Sequence, residues 1–265
     1  MVRRVSGVWV AVLRQTMQFV DLDTAKNASG LRLVVMPGVP SPWSQAAMAI
    51  LHIKGIEALG VWLASPRRPI IAWTGRASAP VALHNGEDPI DGWAEILALA
   101  ERIQPTPSLT PTDPEQRAKM LALSDALIGR GGLLWSARLT AIDAGLTTEG
   151  REGFPPPVAQ YLGGKYGYTE GCADAARHRI AEVLSELEAQ LGDGPYYIGD
   201  ALTALDVYAT AAVDAMVLLS ETDCPMHPKS RAMFMAMGAS ASVPASLIAH
   251  RDRMHADHIP LPLAL

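Results

Sequence analysis

The chain has 265 residues, of which 49% are hydrophobic and 18% are charged, so it can bury the core of one large domain or two modest ones. A net charge of −5 gives no basic surface for nucleic acid, and no basic amphipathic stretch indicates a membrane partner. Two cysteines far apart, Cys172 and Cys224, predict neither a disulfide framework nor a zinc site and fit a reducing cytoplasm.

Residues 1–30 are predicted to be an N-terminal extension. Residues 1–14 contain two arginines followed by a short apolar run, as a signal peptide does, but Arg14 and Gln15 end the run. No small-residue cleavage site follows, and the run is too short to span a bilayer. We therefore interpret this segment as an extension in which Met17 is a candidate initiator.

Residues 31–103 have the alternating pattern of a small α/β domain. Short apolar runs rich in β-branched residues predict buried strands at residues 31–36, 58–64 and 81–83. A helix is predicted to follow Ser41, because apolar residues recur after it with helical spacing, and a second helix is predicted from Asp91 onward. The prolines and glycine between residues 66 and 75 predict irregular backbone, and Asn85-Gly86 predicts a hairpin.

Four prolines within residues 104–114 predict a linker between two domains. Every element predicted in residues 115–265 is helical, and residues 150–171 are predicted to be a loop because they contain three consecutive prolines. The predicted helices are residues 115–128, 133–144, 172–191, 203–219, 229–237 and 244–254. The fold class is therefore α/β followed by all-α.

Ser41-Pro42-Trp43-Ser44 stands where a strand and loop lead into a helix. A helix N-terminus presents unpaired backbone N–H groups and partial positive charge. A thiolate placed there is stabilised, and a hydroxyl directed at it adds a hydrogen bond. The alternative is ordinary helix capping, for which serine followed by proline is a preferred pair.

Two further motifs concern the backbone. Ala79-Pro80 opens a predicted strand, and a cis peptide there would let Ala79 pair with an extended ligand, although few X–Pro bonds are cis. Thr203 and Asp206 have the spacing of a capping box, which is a structural role.

These motifs, in this order and on either side of a proline-rich linker, resemble the glutathione transferase superfamily. The resemblance covers roughly residues 31–220. It implies a thioredoxin-like N-terminal domain, a C-terminal helical-bundle domain, a cytoplasmic location and a homodimer. The residues that carry it run from Ser41 to Lys54-Gly55-Ile56, from Ala79 through Pro80 to Asp91, and from Ile198 to Asp206.

The resemblance also implies roles for individual residues. Ser41 matches the catalytic position, where the hydroxyl would stabilise the glutathione thiolate. Ala79 matches the residue whose backbone pairs with the cysteinyl unit of glutathione, and Pro80 matches the cis-proline. Asp91 matches the acidic residue near the γ-glutamyl amine.

Two neighbouring positions complete the set of glutathione-binding candidates. Gly92 stands where the superfamily usually has a serine whose hydroxyl holds the γ-glutamyl carboxylate, so one ligand contact is absent. Trp43, beside the catalytic position, is included in the set.

The leading hypothesis is a glutathione-dependent transferase or lyase. Glutathione is the co-substrate, and a small apolar electrophile binds between the domains. The alternative is a non-catalytic module of the same fold for ligand binding or assembly, which Gly92 motivates. An unrelated α/β hydrolase is disfavoured because no Gly-x-Ser-x-Gly motif is present.

Two groups of residues have weaker signals. Trp135, Ser136 and Arg138 are candidates for lining a cleft between the domains, with core packing and surface charge as the alternative. His255 and His258 have a spacing that could bind a metal on a helix. Since the nearby sequence does not complete a ligand set, we predict a solvated helix end and no metal site.

Overall fold

The computed structural model describes residues 3–5, 8–10, 17–238 and 242–265. Two short strands, β1 (Arg3–Val5) and β2 (Val8–Val10), pair antiparallel near the N-terminus. The central sheet contains β3 (Met17–Phe19), β4 (Leu31–Val35), β5 (Ala58–Trp62) and β6 (Val81–His84). Its spatial order is β3-β5-β4-β6, with β3 and β4 parallel to β5 and β6 antiparallel to β4.

Helices make up the rest of the described structure. Those of the N-terminal half are α1 (Leu22–Asn27), α2 (Pro42–Ile53), α3 (Arg68–Thr74) and α4 (Trp93–Ile103). Those of the C-terminal half are α5 (Pro114–Ile128), α6 (Leu133–Thr147), α7 (Pro156–Tyr166), α8 (Cys172–Leu191), α9 (Ala204–Met216), α10 (Pro228–Gly238) and α11 (Ala245–Asp257). Among the described helices, none has both the length and the apolar character needed to cross a bilayer.

The predicted strands at residues 31–36, 58–64 and 81–83 correspond to β4, β5 and β6. All five residues of β4 are buried, as the continuous apolar run predicted, because helices cover both faces of the sheet: α2 and α4 pack on one face, and α1 and α3 pack on the other. The hairpin predicted at Asn85-Gly86 is present as a turn with Asn85 at φ 50°. Its returning arm pairs only through a single bridge between Ala82 and Ile90.

The N-terminal boundary predicted at residue 31 lies one strand and one helix too late. β3 extends the sheet beside β5, and α1 follows it, so the α/β domain begins at Met17. Asp21 caps α1, because its carboxylate accepts a hydrogen bond from the Thr24 amide at 2.8 Å. Aspartate is a preferred N-cap residue, so Asp21 is the sequence signal that could have located this helix. A three-residue strand is too short to show periodicity. Residues 1–2, 6–7 and 11–16 of the predicted extension lie outside the described residues.

Two helices stand where irregular backbone was predicted. α3 and α7 each have proline at their first positions, where the missing N–H costs no helical hydrogen bond. Each ends at a glycine in the left-handed region, Gly75 at φ 66° and Gly167 at φ 70°. Pro69 and Pro156, which contributed to the prediction of irregular backbone, therefore stand in the first turns of helices.

The two halves share one core, in which α2 packs against α9. The Trp43 indole N–H of α2 donates to the Ile128 carbonyl at the end of α5, over 2.8 Å. The Tyr208 hydroxyl of α9 donates to the Trp93 carbonyl at 3.3 Å. The helix that begins at Ser41 is thus held directly by the all-helical half.

The segment predicted as a linker, residues 104–114, is tied to the α/β domain by a buried lysine. Lys54, which is 2% exposed, donates to the Pro107 carbonyl at 2.6 Å and pairs with Glu101 at 3.0 Å. The other Glu101 oxygen accepts from the Leu109 amide at 2.7 Å, and Leu109 is buried. The connection between the halves is therefore anchored to the α/β domain through Pro107 and Leu109.

Lys54→Met is expected to lower the free energy of unfolding by about 2 kcal/mol, because it removes the ammonium from a buried carbonyl and carboxylate while keeping the length of the side chain. Equilibrium unfolding in urea measures the change. Lys119→Met, at an exposed lysine of α5, is the matched control and is expected to stay within about 0.5 kcal/mol of the wild type. Equal stabilities of the two variants would contradict a stabilising role for Lys54.

The capping box predicted at Thr203 and Asp206 is confirmed. Asp206 is completely buried, and one of its oxygens accepts from both the amide and the hydroxyl of Thr203 at 2.8 Å. The other oxygen accepts from the Tyr197 amide at 3.0 Å and lies 3.0 Å from His250 Nε2. One carboxylate therefore ties α9, α11 and the segment before α9 together.

Candidate active site

A cavity of about 630 Å³ lies between the α/β domain and the helical domain. From the α/β side its wall includes the N-terminus of α2 and the segment that leads into β6. From the helical side its wall includes α6, α7 and α10. The predicted site residues that line it are Ser41, Trp43, Ala79, Pro80 and Asp91; these come from three separate stretches of sequence.

Ser41 is the N-cap residue of α2, and its hydroxyl is free. The side chain makes no capping hydrogen bond within the described structure, although Ser41 is only 8% exposed and lines the cavity. In the described residues no acceptor is found for the amides of Trp43 and Ser44, and Pro42 has no N–H. The α2 N-terminus therefore presents a hydroxyl and unpaired N–H groups beside the cavity, as a thiolate would require.

Ala79 and Pro80 form the second part of the wall. The peptide bond between them is cis, as the sequence analysis proposed. Within the described residues the backbone of Ala79 has no hydrogen-bond partner. An extended ligand in the cavity can pair with it as an additional strand does.

Asp91 and Gly92 precede α4 and have different surroundings. Asp91 Oδ1 accepts from Arg76 Nε at 3.1 Å, while Oδ2 has no partner among the described residues and can bind an ammonium group. Gly92 is the N-cap of α4 and lies outside the cavity lining. A Cβ at Gly92 would come within 1.8 Å of Glu95 Oε2, so the Glu95 carboxylate takes the space that a serine side chain would need.

The helical wall contributes cations that were not predicted as ligands. Arg138 of α6 and Lys165 of α7 line the cavity, and Arg67 at the start of α3 lines it from the other domain. Among the described residues no carboxylate lies within 4.0 Å of any of these three side chains. The one acidic residue of the lining, Asp91, is paired with Arg76.

Arg138 is held in place by aromatic residues. Its guanidinium carbon lies 5.9 Å from the ring centroid of Phe154 and 5.5 Å from that of Phe234, within the range of cation–π attraction. The Tyr166 hydroxyl lies close enough to raise the pKa of Arg138, in opposition to the effect of burial. Burial lowers the pKa of Arg138 and raises the pKa of Tyr166.

Lys165 stands close to the same group. Desolvation by the surrounding protein, followed by repulsion from Arg138 and Arg67, lowers the pKa of its amine. The amine lies 5.5 Å from the ring centroid of Tyr166. The cavity therefore has a positively charged wall on the helical side.

No family model matches the chain. Glutathione S-transferase U21 of Arabidopsis thaliana is 26% identical over 172 residues, which are 63% of this chain and 66% of that relative. The match thus spans slightly less than two thirds of the relative's length.

Solved structures resemble the chain over most of its length. A glutathione S-transferase from Methylobacterium radiotolerans, solved in complex with glutathione sulfonate, superposes with a TM-score of 0.55 and 20% identity, covering 89% of this chain and 98% of its own. A glutathione S-transferase domain-containing protein from Marinobacter aquaeolei superposes with a TM-score of 0.60 and 17% identity, covering 85% and 98%. The chain has the fold of the glutathione transferases. The thioredoxin-like domain followed by a helical domain, as predicted from the sequence, is therefore confirmed as the fold that the chain shares with these structures.

A bacterial β-etherase from a Sphingobium strain has the same fold, with a TM-score of 0.55 and 15% identity over 84% of this chain and 99% of its own. Likeness at this identity shows the fold alone. The reaction of this protein must therefore be argued from its own cavity.

The structure also places the weaker candidates. Trp135 and Arg138 line the cavity, whereas Ser136 is buried and lies outside the lining. The histidines of α11 and its end are not solvated as predicted: His255 Nε2 lies 2.9 Å from Asp214, and His258 Nε2 lies 2.9 Å from the Tyr196 hydroxyl. Each has a separate partner: Asp214 belongs to α9, against which α11 packs, and Tyr196 belongs to the segment between α8 and α9.

Proposed function

We propose that the protein is a glutathione-dependent transferase or lyase that uses the cavity between its domains. The free hydroxyl of Ser41, at a helix N-terminus without capped amides, is the observation that carries the proposal. It supports a thiolate at this point without any general base in contact with it. The thiol proton passes to solvent, the sulfur forms a bond to the electrophile, and the leaving group departs with its electron pair.

The rest of the wall fits glutathione as the co-substrate. The unpaired backbone of Ala79 supports pairing with the cysteinyl unit, and the free oxygen of Asp91 supports an ion pair with the γ-glutamyl amine. Arg67, on the same domain, supports a contact with a carboxylate of the tripeptide. Trp43 and Pro80 supply apolar surface to the part of the cavity wall beside the proposed position of the sulfur.

The electrophile is proposed to have a largely apolar body and to bind against the helical domain. Phe154, Val158, Leu162 and Phe234 line that side of the cavity. Apolar walls exclude water from the thiolate, and binding both reactants in one cavity removes the entropic cost of their encounter.

We also propose a homodimer in a reducing cytoplasm. The two cysteines are both free: Cys224 is buried and Cys172 is partly exposed, a pattern that suits a reducing compartment. The dimer rests on the resemblance to the superfamily. Sedimentation equilibrium is expected to give a mass close to twice that of the chain.

Calorimetric titration with glutathione tests the proposal, followed by turnover of the neutral aryl chloride 4-chloro-3,5-dinitrobenzamide. Saturable binding is expected, together with chloride release that stops when glutathione is left out. Binding without turnover of this or other aryl electrophiles would favour the second candidate function. Absence of both would overturn the assignment of the cavity to glutathione.

The second candidate is a non-catalytic module of the same fold for ligand binding or assembly. It is favoured by Glu95, whose carboxylate lies where the side chain of residue 92 would hold the γ-glutamyl carboxylate. Two carboxylates at one point repel each other, so Glu95 weakens glutathione binding in the wild-type protein.

Glu95→Gln is expected to tighten glutathione binding by about threefold, because it removes one negative charge at a solvent-exposed position. Calorimetry measures the change. Glu115→Gln, at an exposed glutamate in the first turn of α5, is the matched control and should leave the affinity unchanged. Equal affinities of wild type and Glu95→Gln would place the γ-glutamyl carboxylate elsewhere.

A further inference from the structure

The cavity has a cationic site in its helical wall that the proposed glutathione chemistry does not use. Arg138 and Lys165 belong to α6 and α7, on the opposite side from Ser41, Ala79 and Asp91. Glutathione lying along the thioredoxin-like domain would meet Arg67 first. The two cations of the helical domain therefore face the space left for the second substrate.

Arg138 has donors to spare. A guanidinium carries five N–H donors, and a hydroxyl oxygen such as that of the neighbouring Tyr166 can accept from at most two of them. Phe154 and Phe234 pack against the group and fix its position. An immobilised, partly desolvated guanidinium with unused donors binds an anion at little entropic cost.

Lys165 adds charge of the same sign at the rim of the cavity. Like charges that approach each other in one cavity raise each other's free energy. The pKa of Lys165 is lowered first by desolvation and then by repulsion from Arg138 and Arg67. Since no carboxylate of the described residues pairs with either side chain, an anionic ligand would relieve the repulsion.

The surroundings of the two cations are aromatic. Trp135, Phe154, Tyr161 and Phe234 line the same part of the cavity. The Trp135 ring is fixed edge-on against Tyr166, with centroids 4.6 Å apart. A flat aromatic body with a carboxylate at one end fits this combination of apolar walls and paired cations.

We propose that the second substrate of this enzyme is an anionic aromatic electrophile whose carboxylate binds Arg138 and Lys165. This inference rests on the proposed function, which it makes more specific. The electrophilic carbon then points away from the cations, toward Ser41 and the glutathione sulfur. The cations bind and orient the substrate, while the thiolate attacks it.

A binding experiment tests the anion site independently of turnover. The unreactive pair 3,5-dinitrobenzoate and 3,5-dinitrobenzamide has nearly the same shape and differs in charge. By calorimetry, the benzoate is expected to bind about tenfold more tightly than the amide, with or without glutathione. Equal affinities for the two compounds would overturn the inference.

Two variants locate the site. Arg138→Leu and Lys165→Met are each expected to reduce the preference for the benzoate by at least about fivefold while changing the affinity for the amide by less than about threefold. Lys165 is exposed at the rim, so its variant folds even if Arg138→Leu does not. Lys119→Met, with the same charge change on α5, should keep the full preference. A preference retained in Lys165→Met and in folded Arg138→Leu would overturn the inference.

Turnover separates this inference from the proposed function. The thiolate of glutathione displaces chloride from 4-chloro-3,5-dinitrobenzoate, forming a C–S bond as chloride leaves, while the thiol proton goes to solvent. After division by the uncatalysed rates, kcat/KM is expected to favour the benzoate over the corresponding amide by about tenfold. Turnover of the amide without this preference would overturn the anion site alone. Preferential binding of the benzoate without turnover of either compound would overturn the transferase proposal and support the anion site.

Discussion

Ser41→Ala is expected to lower kcat/KM for glutathione conjugation by about 100-fold near pH 6.5, while the affinity for glutathione changes by less than about threefold. The hydroxyl of Ser41 makes no hydrogen bond in the described structure, so its removal breaks no hydrogen-bond network. It takes away one hydrogen-bond donor to the thiolate. That interaction stabilises the charged sulfur, and the neutral thiol gains little from it.

The pH dependence gives this expectation a sign. A free thiol has a pKa of about 8.5, and a donor to the thiolate lowers it. In the wild-type protein the rate should therefore rise with pH through a midpoint below that value, and in Ser41→Ala the midpoint should move upward. The defect is then largest at low pH and shrinks as the pH rises, which steady-state profiles of kcat/KM measure.

A matched variant separates chemistry from folding. Ser124→Ala removes a completely buried hydroxyl of α5 that donates to the Met120 carbonyl within its own helix, far from any role in the cavity. Its turnover should match the wild type. If Ser41→Ala also matched the wild type across the pH range, the thiolate would be activated by another group.

The fold could be predicted largely because its strongest signals are local. β4 is a continuous apolar run. The apolar residues of α8 recur with helical spacing along its whole length, and its predicted ends, Cys172 and Leu191, are the ends found in the structure. The elements that were missed are short or begin with proline. β3 has only three residues. α3 and α7 begin with prolines, which are equally compatible with a loop. Only tertiary packing against the sheet and against α6 decides between those alternatives.

The site divides in the same way. Ser41, Ala79, Pro80 and Asp91 could be selected because each stands in a motif whose order along the chain is informative. Arg138 was recognised only as one of two alternatives, a cleft residue or a surface charge, and Lys165 had no signal at all. Both are single cations on helices, and what makes them notable is the absence of a carboxylate beside them in the described structure. That property depends on which helices meet and cannot be read from local sequence.

These two kinds of residue have different places in the proposed reaction. The motif residues belong to the thioredoxin-like domain, where the proposal places glutathione. The cations belong to the helical domain, where the second substrate would bind. In this proposal, selectivity for that substrate depends on helices whose sequence has few motifs. The proposed class of substrate is therefore inferred from the structure, because the sequence alone does not indicate it.

Asp206→Ala is expected to lower the free energy of unfolding by about 4 kcal/mol, the largest stability effect expected in this chain. The substitution leaves the amides of Tyr197 and Thr203, the Thr203 hydroxyl and His250 without their buried acceptor. Asp206→Asn keeps the shape and one oxygen but turns two donors toward Thr203, so about 2 kcal/mol is expected. Urea unfolding measures both values.

Asp174→Ala provides the contrast, because Asp174 pairs with Arg177 at an exposed position of α8. Such a pair contributes at most about 1 kcal/mol. An equal loss for Asp206→Ala and Asp174→Ala would contradict the role of the buried network. α9 supports α2, the helix that begins at Ser41, so the network also bears on the site. At a temperature where Asp206→Ala is still folded, its kcat/KM should match the wild type, and activity should then disappear at a lower temperature together with the fold.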